Sequence, residues 1–395
     1  MTSDAVSPLQ LGRHLLSAGQ PCFIIAEAGT AHGGDLGQAQ QLVRAVVAAG
    51  ADCVKFQYVI ARELIHPDAG AIPLPGGQTR LYERFRELER PVSFYAELKQ
   101  MVEAEGSTFL CSAFGVESAR QLHALDVDGF KLASPETNHL PLLRQLASFG
   151  LPVIASTGVS TPADIDAALE VLLPASRVAL LHCITEYPAP AEQYNLHLLA
   201  RLQDRYRVPV GVSDHSLDPL LVPSVGVAVG AAALEKHVTL RRDGDGLDDP
   251  IAIEPAELAR MVEEVRAVEQ RREADGAAAA LARASSRFGA EAVAAVLGSG
   301  AHELAAAEKD NYLTTNRSLL FVADGEPGDL INESLVAALR SEKNMRPGLS
   351  AMAWDEMLGR RLARPVRSGD PVSWYDVRGR APGRRPSYFP VKKGV

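Results

Sequence analysis

The sequence predicts an α/β chain: a closed parallel barrel of eight strand–helix units, (β/α)8, followed by a small, mostly-β domain. Three observations carry this. Eight short apolar runs of strand type recur between residues 22 and 237, and longer runs of helical period lie between them. Together the units fill residues 1–275, close to the ~250 residues of a parallel barrel with its loops. A doubly wound open sheet explains so many regular units less well, and no GxGxxG follows the first run.

The runs come in order. "CFIIAE" (22–27) is followed by the amphipathic "DLGQAQQLVRAVVAAG" (35–50), and "DCVKFQ" (52–57) by a long stretch, 58–91, that holds "IPLPGGQTRLYERF". Such length between a strand and its helix marks a functional loop over the barrel mouth. "STFLCS" (107–112) precedes the helical 116–125, and "GFKLAS" (129–134) follows it. "PVIAST" (152–157) precedes the helical 162–173. "VALLHC" (178–183), "PVGVSD" (209–214) and "AALEKH" (232–237) complete the eight, and 254–272 carries apolar residues at helical spacing. Residues 276–310 are Ala-rich and read as a partly helical linker. Short β runs broken by Gly-rich turns then predict a second domain over 311–380, and the basic, Pro/Gly-rich 381–395 reads as a solvated tail.

Composition narrows the partners. A formal net charge of -9 over 395 residues argues against nucleic acid or an anionic membrane as the main partner. An anionic ligand would need a local cluster of positive charge. The longest nearly apolar stretch, 220–234, contains Pro223 and is short of the ~20 residues that span a bilayer. The opening residues show no signal-peptide core, and Cys22, Cys53, Cys111 and Cys183 lie far apart inside apolar runs. Reduced, buried thiols fit a cytoplasmic setting.

In a parallel barrel, chemistry sits at the C-terminal ends of the strands, and polar residues gather there in this sequence. Glu27 ends the first run, Lys55 and Gln57 the second, and Ser112 the third. Lys131, Ser134 and Glu136 lie at or just after the fourth, and Ser156 ends the fifth. Thr185 and Tyr187 follow the sixth, Ser213 and His215 end the seventh, and Glu235, Lys236 and His237 end the eighth. Alternation puts Ser213 with His215, and Glu235 with His237, on shared faces. Two imidazoles from neighbouring strand ends, with carboxylates nearby, suit a divalent metal that keeps open positions. Lys55 and Lys131, joined by Ser134, Ser156 and Ser213, suit a phosphate or carboxylate. A Schiff-base lysine is the competing chemistry.

"IIAEAGTAHGGDLGQAQQLVRAVVAAGADCVKFQ", "FKLASPETNHLPLL", "VIASTGVS", "LHCITEYPAP", "VGVSDHSLDP" and "LEKHVTL" resemble the sialic acid synthase family, which includes N-acetylneuraminate, legionaminate and pseudaminate synthases. "NRSLLFVADGEPGDLI", "RPG" and "MLG" resemble its C-terminal antifreeze-like SAF domain. The resemblance covers about residues 20–275 and 311–376. It implies a TIM barrel that condenses phosphoenolpyruvate with an open-chain amino-hexose in the presence of Mn²⁺ or Mg²⁺. Lys55, Lys131, Ser134, Ser156, Thr185 and Ser213 would bind phosphoenolpyruvate, and His215 and His237 the metal. Glu27, Gln57, Ser112, Tyr187 and Asp248 would face the sugar, Glu27 also serving in catalysis, and Glu136 would handle the attacking water. Arg346, in "RPG", would reach into the partner subunit's barrel of a domain-swapped homodimer. The chain departs from the family pattern at Ala31, Gly33, Ala113, Thr185 and Asp249, which the resemblance places around the sugar pocket.

Overall fold

Eight parallel strands close into a barrel in chain order: β1 (Phe23–Gly29), β2 (Cys53–Tyr58), β3 (Thr108–Ala113), β4 (Phe130–Leu132), β5 (Val153–Ser156), β6 (Val178–Cys183), β7 (Val210–Asp214) and β8 (Ala233–His237). β8 pairs back onto β1, with His237 opposite Glu27. The expected TIM barrel is the fold observed. The computed structural model describes residues 6–17, 19–74, 77–244, 246–342 and 344–378; the tail expected at 381–395 lies outside them.

Alternation sorts the strand residues between two cores. Ile24, Ala26, Val54 and Phe56 join the layer between strands and helices, whereas Ile25, Cys53, Leu110, Ile154 and Ala233 fill the barrel interior. Two residues further along each strand the inward position turns polar, as Glu27, Lys55, Ser112, Ser156 and Glu235, all buried. The helices follow ordinary signals. The helix Leu36–Ala48 starts at Asp35, whose side chain accepts from the Gln38 N–H at 2.7 Å. It buries Ala39, Leu42, Val43 and Val46, one stripe at helical spacing. Burying a Leu or Val this way contributes ~1.5–3 kcal/mol. An element not foreseen closes the far end: Leu9–Leu11 and His14–Leu16 form a hairpin whose Leu9, Leu11 and Leu16 plug the barrel interior from below.

The Ala-rich segment is helical over most of its length and packed. The helix Pro255–Phe288 runs through it with a break at Gly276 (φ 86°), followed by helices Ala290–Leu297 and Ala306–Thr315. Alanine favours helix and lets elements approach closely, and Ala280, Ala284, Val293 and Val296 join the outer core of the barrel. The chain thereby wraps the barrel and delivers the C-terminal domain to the mouth of that same barrel. There β9 (Arg317–Phe321) and β10 (Val336–Arg340) pair antiparallel around a second core that includes Leu319, Phe321, Val336 and Trp354.

Docking of this domain is largely polar. Asn138 imitates a strand edge: its Nδ2 donates to the Arg317 carbonyl at 2.8 Å, and its Oδ1 accepts the Arg317 N–H at 3.0 Å. Arg317 and Arg340 stand opposite each other in the β9–β10 ladder, so both guanidinium groups reach the same carboxylate, Glu136. Arg317 also donates to the carbonyls of Leu64 and Phe114 at 2.8 and 2.9 Å. Arg346, expected to enter a partner's barrel, is exposed. The register of β9 and β10 turns Arg317 and Arg340 toward the barrel of the same chain.

Candidate active site

The strand ends enclose a cavity of about 340 Å³, within the usual range of small-molecule sites, roughly 300–1,000 Å³. Of the residues singled out from the sequence, Glu27, Lys55, Gln57, Ser112, Lys131 and Ser134 line it from β1 to β4. Ser156, Thr185, Tyr187, Ser213, His215, His237 and Asp248 complete the ring. Glu136 and Arg346 do not line it. Among the departures from the family pattern only Thr185 does; Ala31, Gly33, Ala113 and Asp249 lie elsewhere.

Two lysines and two glutamates form the floor. Lys55 Nζ lies 2.7 Å from Glu27 Oε2 and donates to Ser112 Oγ at 3.1 Å. Lys131 Nζ donates to Ser156 Oγ at 2.7 Å. Glu235 sits between the two ammonium groups, 3.7 Å from Lys55 and 3.9 Å from Lys131, and accepts from Ser213 Oγ at 2.9 Å. Burial alone would raise the Glu235 carboxyl, but Lys131 and then Lys55 overcome it and hold it at about 2. Burial would lower the Lys55 amine; Glu235 and Glu27 reverse this and raise it. The Lys131 amine is lowered, chiefly by burial, against the pull of Glu235. Lys236, the third member of the polar triplet, points to the other face and pairs with Asp214 at 2.7 Å. Strand alternation separates it from the site.

The histidines stand across from this floor. The rings of His215 and His237 are 5.5 Å apart, and Tyr187 stacks on His215 at 4.2 Å. Nδ1 of His215 donates to the Ile184 carbonyl at 2.7 Å, which leaves Nε2 with its lone pair. Burial, then the neighbouring His237, pushes the His215 ring down to about 3, so it is neutral near pH 7, the form that ligates a metal. His237 Nδ1 lies 3.5 Å from Asp248 Oδ2. Two imidazoles with Glu235 and Asp248 close by are a donor set that fits a divalent cation. Among the described residues no three His, Cys, Asp or Glu side chains stand close enough to form a complete ligand cluster, so water or substrate would supply the remaining positions.

Glu136 departs from the role the resemblance gave it. It is fully buried and shared by Arg317 and Arg340, the latter at 2.7 Å. Burial would raise its carboxyl; Arg317 and then Arg340 outweigh that and lower it. A carboxylate so paired neither gives up nor takes a proton readily and has no face on the cavity. Four features escaped sequence reading. Arg340 lines the cavity, with its guanidinium 5.8 Å from the Phe114 ring. Glu308 accepts the N–H groups of Val159 and Thr185, both at 2.8 Å, and so fixes the loops after β5 and β6. Gly158 leaves room in that wall, since a Cβ there would stand 2.2 Å from Thr185 Oγ1 and 2.7 Å from Cys183 Sγ. Arg317 opens a strand that ends in Leu319, Leu320 and Phe321, and a cation beside that apolar run was the available signal.

A barrel with lysines and histidines converging on a cavity at its strand ends, capped by a small β domain, has the architecture of a barrel enzyme. Comparison gives the family. Residues 42–276 match the NeuB family and residues 316–378 the SAF domain, and the chain belongs to the NeuB family. It is 30% identical to the N,N'-diacetyllegionaminic acid synthase of Campylobacter jejuni, over 86% of this chain and 95% of that protein. It is 33% identical to the human N-acetylneuraminate-9-phosphate synthase, over 63% of this chain and 71% of that one. The structure of the spore coat polysaccharide biosynthesis protein SpsE of Bacillus subtilis superposes with a TM-score of 0.79 at 27% identity, covering 95% of this chain and all of that one. Among the described residues no helix is long and apolar enough to cross a membrane.

Proposed function

We propose that the chain condenses phosphoenolpyruvate with an open-chain amino-hexose in a metal-dependent reaction. The products would be a nine-carbon 2-keto acid of the sialic type and phosphate. One observation carries the reading: Lys55 and Lys131 converge with His215 and His237 on one cavity in a NeuB-family chain. The synthase names of the relatives support it.

The charges of the floor agree with it. Lys55 and Lys131 face Glu27 and Glu235, so these four cancel, and Asp248 adds a negative charge beside His237. A polyanion such as phosphoenolpyruvate therefore needs a divalent cation as well as the lysines. His215 and His237 are the residues that would hold Mn²⁺ or Mg²⁺. When bound, the ion supplies Lewis-acid polarisation of the acceptor's aldehyde. The chain's own part is chiefly positioning. Lys131 and Lys55 neutralise the anion, while Ser134, Ser156, Ser213 and Thr185 offer hydroxyl donors. Gln57, Ser112, Tyr187 and Asp248 would orient the sugar, with Arg340 of the same chain in the cavity wall. The enol methylene carbon attacks the aldehyde, water adds at C2, and phosphate leaves with C–O cleavage. Glu27, held by Gln57 and by Lys55, each at 2.7 Å, would move the proton expected of Glu136, because it lines the cavity and Glu136 does not. The homodimer belongs to the same proposal: exchange of the C-terminal domain would re-form the Arg317–Glu136 contact between chains, and sedimentation at several concentrations distinguishes that from closure within one chain.

The test is to incubate the protein with phosphoenolpyruvate, Mn²⁺ and a panel of 2-acetamido and diacetamido hexoses, measuring phosphate and weighing products. Release of phosphate that needs both substrates and stops with chelator is expected. The lowered Lys131 amine is what a Schiff-base aldolase would use, so borohydride trapping with pyruvate, without metal, would replace the reading. Tight sugar binding without turnover would favour a recognition protein instead.

A further inference from the structure

A buried ion pair stands beside the site without lining its cavity. Asp214 and Lys236 are opposite each other in the β7–β8 register, on the face turned away from the barrel interior. One pair earlier on that face the partners are Val212 and Leu234, both members of the apolar outer core. In such a layer a buried ion pair is often no more stabilising than an apolar pair of similar volume. What it adds is geometry.

The bonds of the Lys236 ammonium define that geometry. Its Nζ donates to Asp214 Oδ2 at 2.7 Å, to the Ser216 carbonyl, and to Ser216 Oγ at 3.4 Å. The Asp214 carboxylate in turn accepts the Ser216 N–H at 2.8 Å. Asp214 and Ser216 flank His215 in the chain, and Lys236 directly precedes His237. One ammonium therefore ties the backbone on both sides of His215 to the strand that carries His237. Tyr194 completes the frame from the loop after β6: its hydroxyl accepts the His215 N–H at 2.6 Å and donates to Asp214. Lys236, Asp214, Ser216 and Tyr194 are all buried, and in that low-dielectric setting these bonds are stronger than in water. We infer that Lys236, Asp214 and Tyr194 are positioning residues: they set the spacing of the two imidazoles, 5.5 Å between rings, and through it the affinity for the divalent cation. This rests on the reading of His215 and His237 as the residues that hold that cation.

Mn²⁺ binding to chelator-stripped protein, read from the EPR signal of free Mn²⁺, tests this without turnover. D214L/K236M exchanges the ion pair for apolar side chains and strands no charge, Y194F removes one hydroxyl, and H215A is the reference; melting curves check that each is folded. Wild type should bind Mn²⁺ and H215A should lose it. D214L/K236M should bind ~10–100-fold more weakly, the usual effect of removing groups that orient a ligating histidine, and Y194F more weakly by a smaller factor. In the phosphate assay the Mn²⁺ needed for half-activation should rise in step, while KM for phosphoenolpyruvate at saturating Mn²⁺ stays near wild type, a split that a generally loosened fold does not give. A folded D214L/K236M that binds Mn²⁺ as tightly as wild type overturns the inference and leaves the metal site standing; should that variant not fold, a folded Y194F with wild-type affinity does the same. Wild type and H215A that bind Mn²⁺ alike overturn the metal reading, and the inference with it.

Discussion

Replacing Arg317 with methionine tests how the C-terminal domain is held. The side chain is fully buried; it donates to Glu136 and to the carbonyls of Glu63, Leu64 and Phe114, which lie on the loops after β2, β3 and β4. Removing one partner of a buried ion pair costs about 3–5 kcal/mol. Arg340 keeps part of Glu136's pairing, so ~3 kcal/mol is expected, a large share of a typical stability of 5–15 kcal/mol. The assay is built into the sequence, because the two tryptophans, Trp354 and Trp374, both lie in the C-terminal domain. Tryptophan fluorescence therefore follows that domain, while far-UV circular dichroism follows mainly the barrel. In R317M the fluorescence transition should move to lower denaturant and precede the dichroism transition. The double variant R317M/E136M, which removes the stranded carboxylate, should recover part of the loss, with a coupling energy of ~0.5–3 kcal/mol. Coincident transitions shifted by less than ~1 kcal/mol would refute the clamp.

Four further outcomes are expected. Glu136 has a lowered carboxyl, so its contribution is present above its ordinary value of 4.5 and is lost as pH falls through its lowered value. Acid titration should release the tryptophan signal below pH 4.5, and E136Q should remove that pH dependence. Chelation, or H215A, should abolish phosphate release, and Mn²⁺ should restore the chelated wild type but not H215A, as followed by a phosphate assay. K131M, which removes a charge-assisted contact of ~1.5–3 kcal/mol, should lower kcat/KM for phosphoenolpyruvate by ~10–150-fold. E308A leaves the N–H groups of Val159 and Thr185 without their acceptor, at ~1–3 kcal/mol each; KM for phosphoenolpyruvate should rise, while E308Q, which keeps an accepting oxygen, should stay near wild type.

The barrel was legible because its signals are local. "DCVKFQ" shows a strand by its alternation and "DLGQAQQLVRAVVAAG" a helix by its period, and neither needs a distant partner to be recognised. The strand-end residues were legible for the same reason, since fold class alone says that those ends converge. The pairing of Glu136 was not. Glu136 looks like an available acid until Arg317 and Arg340, about 200 residues away in sequence, occupy both its oxygens. The Ala-rich stretch showed its helical bias, but not that Ala280 and Val293 would find an apolar surface to cover. The hairpin at Leu9–Leu16 carries too short a pattern to be told from an ordinary N-terminal segment.

By itself the sequence determined that eight strands would alternate with helices, and that lysines, serines and histidines would end those strands. Periodicity and strand-end chemistry are properties of neighbours in the chain. Only the tertiary structure decided which carboxylates line the cavity and which arginine enters it. Those depend on which distant groups are brought within a few ångströms in a medium of low dielectric, where one paired charge changes the role of its neighbour.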